Sequence, residues 1–88
     1  MNYKNVEKIV NRIAINYLSS TDNHAQYFNL VNESFSKLSF VSQQIINNEF
    51  FFNDYPFWWE KYYSKKQFIK LKKKAMNQFL YSLKALYA

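Results

Sequence analysis

Apolar residues recur every three or four positions in several stretches of the chain, which is the spacing of one face of a helix. This pattern predicts a first helix from about Asn5 to Leu18 and a second from about His24 to Lys37. A run of turn and capping residues, 19–23, separates the two. The apolar face of the first helix is predicted to contain Val6, Ile9, Val10, Ile13, Tyr17 and Leu18.

A third helix is predicted from about Phe40 to Phe51, with Ser39 in the position of an N-cap. The break that follows contains Pro56, which fits the first turn of a short fourth helix, Phe57 to Tyr62. These two helices lie between the N-terminal pair and the most basic part of the chain.

The fifth predicted helix is the longest and runs from Lys65 to about Leu86. Ser64 precedes it, and Gln67 follows three residues later at the spacing of a capping box. At about 100° per residue its apolar residues share one sector: Phe68, Leu71, Ala75, Met76, Phe79, Leu83 and Leu86. Lys72 falls within this sector, so its stem is expected along the core, with its ammonium reaching water or a phosphate.

Composition supports an all-α fold. There is no Gly and only one Pro among 88 residues, so the residues that tight hairpin turns need are missing. Nine Phe, eight Tyr and two Trp can supply a core to a short chain. We therefore expect one domain over 1–88, a small bundle of about five helices. Residues 1–37 would form a helical pair and residues 38–88 a helix-turn-helix.

Few residues could carry metal or catalytic chemistry. The chain has no Cys and a single His, His24, so a zinc site is not expected. The six carboxylates are scattered, and no two are expected to share a site. We expect no enzyme activity, no cofactor and no small-molecule substrate. No signal peptide or membrane span is visible, which predicts a cytoplasmic protein.

Charge is distributed unevenly. Residues 1–52 contain equal numbers of basic and acidic side chains, whereas residues 53–88 contain eight Lys against Asp54 and Glu60. The whole excess of +6 therefore lies in the last 36 residues. Such asymmetry indicates a polyanionic partner, and a solvated lysine surface is the alternative.

The polar sector of the fifth helix has the residue types that read a major groove. Lys can contact a guanine edge or a phosphate, and Gln and Asn can pair with adenine. The helix start offers backbone N–H groups to a phosphate. The predicted nucleic-acid-binding residues are Lys61, Ser64, Lys65, Lys66, Gln67, Lys70, Lys73, Lys74 and Asn77.

The segment from Leu38 to Leu83 resembles the sigma-70 region-4-like domains of ArpU/RinA-type phage transcriptional regulators. The matching residues are Leu38, Ser39, Ile45, Ile46, Trp58, Trp59, Tyr63, Ser64, Phe68, Lys70, Lys72, Lys74, Ala75 and Phe79. The resemblance covers about half of the chain and implies a transcription activator or an RNA-polymerase-associated factor. We therefore expect a phage-related, sigma-like transcription regulator that binds duplex DNA. Lys66–Gln67 stands where the family has Ser-Thr, and Ile69–Lys70 where it has an aromatic residue and Arg. Lys cannot reproduce the bidentate fork of Arg, which weakens the expectation of base specificity.

Aromatic residues suggest an alternative function. Phe51, Trp58 and Trp59 are candidates for a protein interface with RNA polymerase or a second copy of the chain, with little DNA affinity. Core packing is expected for at least one of the two Trp, and at least one of Phe50, Phe51 and Phe52 is expected to be exposed. Binding of the basic helix to RNA or to a membrane surface ranks lowest, because the domain needs its apolar face for the core.

Overall fold

A computed structural model describes residues 3–19 and 25–87 of the chain. Within these ranges the chain is helical and contains no strand, which confirms the expected all-α class. The four α-helices are α1 (Tyr3–Ser19), α2 (Ala25–Ser36), α3 (Phe40–Ile46) and α4 (Lys65–Tyr87). A π-helical turn (Asn47–Phe51) extends α3, and a 3₁₀ turn (Trp58–Lys61) precedes α4.

Two predicted helix starts are formed by the side chains that the sequence indicated. Ser39 accepts a hydrogen bond from the backbone N–H of Ser42 at 3.2 Å. Ser64 accepts one from the N–H of Gln67 at 3.2 Å, and the Gln67 side chain accepts one from the N–H of Ser64 at 3.1 Å. This reciprocal pair is a complete capping box. The predicted start of α2 at His24 lies outside the described residues.

The predicted fourth helix is instead a 3₁₀ turn of four residues. So short a helix makes too few hydrogen bonds to offset the cost of its nucleation. Its conformation follows the packing of its aromatic rings: Trp59 stacks on Phe68 of α4, with ring centroids 4.6 Å apart. Trp58 meets the same ring edge-on at 5.8 Å.

The third helix also differs from the prediction, because its last five residues form a wider turn. The N–H of Phe52 bonds to the carbonyl of Asn47, five residues earlier, at 2.8 Å. In an uninterrupted α-helix, Phe51 would lie about 140° around the axis from Ile46. The wider turn reduces this angle, and the Phe51 ring contacts the rings of Tyr17, Phe35 and Phe79.

One hydrophobic core takes residues from all four α-helices. Its fully buried members include Val10, Val31, Ile45, Ile46, Met76 and Phe79. Most of the apolar sector predicted for the last helix is confirmed, with Phe68, Ala75, Met76, Phe79 and Leu83 buried. In α1 the prediction was partly wrong. Ile9 and Leu18 are exposed, while Ala14 is buried.

Candidate nucleic-acid interface

The outer side of α4 carries a group of exposed polar residues, which we call the lysine face: Lys66, Lys70, Lys73, Lys74 and Asn77. These residues lie opposite Phe68, Ala75 and Phe79, whose burial fixes the rotation of the helix about its axis. These five predicted site residues are thus brought to one solvent-facing surface.

The lysine face has no neutralising partner in the described part of the chain. The ion pairs found there involve only Lys37 and Lys72 among the basic residues. Lys73 makes a different contact, with its Nζ 5.4 Å from the centroid of the Tyr3 ring. A cation over an aromatic face keeps its charge, so the whole lysine face is positively charged.

The remaining predicted contacts lie around the start of α4. Lys61 is the last residue of the 3₁₀ turn and Lys65 the first residue of α4, and both are exposed. Ser64 and Gln67 are exposed as well, but their side chains are engaged with each other in the helix cap. The cap fixes where α4 begins and so positions Lys65 and Lys66, whose backbone N–H groups lie in its first turn.

Lys72 points inward and forms what we call the Lys72 junction, together with Glu7, Glu49 and Trp58. Its Nζ lies 2.7 Å from Oε2 of Glu7 and 2.9 Å from Oε1 of Glu49. The indole N–H of Trp58 donates to the other oxygen of Glu49 at 3.0 Å. The junction therefore joins α1, the π-helical turn, the 3₁₀ turn and α4.

This geometry overturns two expectations. The Lys72 side chain is only 11% exposed, so its ammonium is directed away from water and from any phosphate at the surface. It pairs with two carboxylates instead. Glu7 and Glu49 do share a site, since they bind the same ammonium from two different elements. Forty-two residues of sequence separate these two carboxylates, so spacing along the chain gave no sign of the pairing.

The junction changes the acid–base behaviour of two groups. Burial alone would lower the pKa of Lys72, but hydrogen bonds to Glu7 and Glu49 outweigh it, and the pKa lies well above its ordinary value. The pKa of the Tyr3 hydroxyl is also raised, chiefly by burial, although nearby Lys72 opposes the shift. Both groups therefore keep their protons more strongly in the folded chain.

The three predicted partner-binding residues are half-buried. Phe51 packs into the core, while Trp58 and Trp59 both lie against Phe68. Core packing of at least one Trp is thus confirmed. The expected exposed ring of the Phe50–Phe52 run is Phe52, which is 61% exposed.

Sequence reasoning missed a group of more exposed rings beside the start of α4. They line an open groove of about 540 Å³, which we call the aromatic groove. Its lining includes the polar residues Gln44 and Asn48 together with Tyr55, Phe57, Trp58, Lys61 and Tyr62. The sequence does contain a signal for this groove. The helical pattern breaks at Tyr55–Phe57, and a short non-helical segment with several aromatic residues cannot bury every ring.

Two further findings concern the described residues. They contain no group of three or more His, Asp or Glu side chains arranged to hold a metal ion. None of their helices combines the length and hydropathy needed to cross a bilayer. The single histidine, His24, lies outside this part of the chain.

Comparisons with protein-family models, with curated proteins and with solved structures find no match to this chain.

Proposed function

We propose that the chain binds duplex DNA through the lysine face and acts as a sigma-like transcription regulator. The proposal is supported by an array of exposed lysines on α4 that pair with no carboxylate of the described residues, whereas the inward-facing Lys72 of the same helix pairs with two. Cationic side chains on one side of a helix match the phosphates that flank a groove.

The mechanism we propose places α4 at the major groove. Lys66, Lys70, Lys73 and Lys74 contact phosphates or guanine edges, and Asn77 is available to pair with adenine. The element that braces α4 is α3, the helix packed most extensively against it. Ser42 of α3 donates a hydrogen bond to the Gln78 side chain of α4 at 2.7 Å. In this arrangement α3 takes the position that the predicted helix 57–62 would have held in a helix-turn-helix.

The assignment to transcription rests on the resemblance of residues 38–83 to ArpU/RinA-type regulators. Phosphate contacts by lysine give affinity without sequence information. Because Lys70 stands where the resemblance has Arg, we expect modest sequence preference and a strong dependence on salt.

The test is a matched pair of charge-reversal variants in a fluorescence-anisotropy titration with a labelled random duplex. Replacing Lys66, Lys70 and Lys73 together by Glu should weaken binding by roughly 100-fold or more, since phosphate contacts are lost and repulsion is added. Replacing Lys4, Lys8 and Arg12 of α1 by Glu changes net charge equally, but on an exposed surface of another helix. That control should lose far less affinity.

Circular dichroism checks that both triple variants remain helical. Equal affinity of the folded α4 variant and the original chain would exclude the lysine face as the binding surface. Equal losses in both variants would show that net charge alone determines binding.

A protein-interaction module is the second candidate function, and exposed aromatic rings favour it. Tyr55 is 77% exposed and Phe57 is 67% exposed, which is unusual for such large side chains. An interface with RNA polymerase or a second copy of the chain would then use these rings together with the half-buried Phe51, Trp58 and Trp59. Pull-down of purified RNA polymerase and sedimentation velocity test the two partners directly.

A further inference from the structure

The aromatic groove has the chemistry of a site for a nucleobase. Tyr55 and Tyr62 both line it and are 77% and 64% exposed, so much of each side chain is accessible to a ligand. Trp58 also lines the groove, while its N–H is committed to Glu49. Stacking on aromatic faces is how proteins hold unpaired bases, and it tolerates any base sequence.

Polar groups in the same groove suit the edge of a base. Gln44 and Asn48 lie four residues apart and both line the groove. Both side chains are partly buried, yet neither amide forms a hydrogen bond within the described part of the chain. Each amide offers donors and an acceptor, the combination that pairs with the edge of an unstacked base.

The charge of the groove favours a nucleic-acid ligand over an apolar peptide. Lys61 lines the groove, and no carboxylate of the described residues does. Lys65 and Lys66 follow after only three intervening residues, at the start of α4, so the groove lies close in the chain to the surface proposed for phosphate binding. A volume of about 540 Å³ lies in the roughly 300–1,000 Å³ range of small-ligand sites.

We infer that the aromatic groove binds an unstacked base of single-stranded nucleic acid, with the adjoining phosphate at Lys61. The inference rests on the proposed function, because the lysine face would hold the neighbouring duplex while the groove takes a base from an unpaired segment. The chain would then bind best where paired and unpaired strands meet.

Three labelled probes test this: a fully paired duplex, the same duplex with a five-nucleotide dT tail, and single-stranded dT10. Anisotropy titrations at one salt concentration should show the tailed duplex binding roughly tenfold tighter than the paired one. The double variant Tyr55→Ala, Tyr62→Ala should remove this gain and leave the affinity for paired duplex unchanged. The corresponding Phe variant should keep it, since stacking needs the ring and not the hydroxyl.

Tyr81 supplies the matched control. It lies on α4 away from the groove and is 77% exposed, the same as Tyr55. Tyr81→Ala should keep the full gain from the tail, whereas loss of the gain in this variant would overturn the assignment to the groove.

The remaining outcomes separate the two proposals. If paired duplex binds and the tail adds nothing, the groove site is wrong and the lysine face stands. If neither duplex nor dT10 binds, both are wrong. If the original chain self-associates, the double Ala variant does not, and dT10 fails to bind, the groove is a protein interface and the inference is overturned.

Discussion

Lys70 and Lys72 are two residues apart on the same helix, yet they lie in opposite environments. Lys70 belongs to the exposed lysine face, and no carboxylate of the described residues pairs with it. Lys72 lies about 200° away around the helix axis, on the side that packs into the core. There it meets Glu7 and Glu49 at 2.7 and 2.9 Å.

The contrast shows that lysine content alone does not identify a binding surface. A lysine in the core requires local carboxylates, because an unpaired buried charge is very costly. Glu49 meets this requirement while also accepting a hydrogen bond from Trp58, so the junction fixes the 3₁₀ turn against α4. The exposed lysines have no such structural requirement and are available to a polyanion.

The largest effect expected is on stability, from Lys72→Met. The change leaves Glu49, which is 11% exposed, without its cation, and should lower the free energy of unfolding by about 3 kcal/mol. Lys70→Met should change it by less than about 0.5 kcal/mol, because the side chain is exposed. Urea denaturation followed by circular dichroism measures both.

In DNA binding the order of the two variants should be reversed, with the larger effect from Lys70→Met. Lys70→Met should reduce the slope of log affinity against log salt by about 1, whereas Lys72→Met should leave it unchanged. A reduced slope for folded Lys72→Met would mean that the buried lysine also contacts phosphate. The contrast between the two faces would then fail.

An intermediate effect is expected from alkaline pH. Lys72 and Tyr3 both have raised pKa values in the folded chain, so the folded state holds these protons more strongly than the unfolded state. Their contribution to stability is complete below about pH 10, where the unfolded groups are still protonated. It is lost as pH rises through the folded pKa values.

Urea denaturation at pH 8 and at pH 11 measures this loss. The decrease in unfolding free energy should be smaller in Lys72→Met than in the original chain, because the variant lacks the Lys72 ammonium, whose pKa is strongly raised in the folded chain. An equal decrease in both proteins would show that the junction does not control alkaline unfolding.

Much of the fold could be predicted because it depends on local patterns. Ser39 and Ser64 mark helix starts through hydrogen bonds made within three residues. The apolar sector of α4 follows from 3.6-residue periodicity, which also places the lysine face outside. These features need no knowledge of the rest of the molecule.

The parts that were missed depend on contacts distant in sequence. The 3₁₀ turn is set by how Trp58 and Trp59 pack on Phe68, and the π-helical turn brings Phe51 into the core. Helical periodicity places Lys72 on the apolar side of α4, but its partners Glu7 and Glu49 are on other elements. The aromatic groove likewise forms only when the chain from Tyr55 to Tyr62 folds beside α3.

The smallest effect should come from a lysine that has a carboxylate partner but no burial. Lys37 Nζ lies 3.8 Å from Oε1 of Glu33, one helical turn earlier, and both side chains are more than half exposed. Lys37→Met should therefore lower the free energy of unfolding by only about 0.3 kcal/mol, because water screens the pair. The urea midpoint, compared with that of Lys72→Met, measures the difference. A loss as large as that of Lys72→Met would show that an ion pair stabilises the fold whether or not it is buried. A near-zero loss would show that the stabilisation by Lys72 depends on burial, so the exposed lysines of α4 are not needed for the fold and can bind a partner.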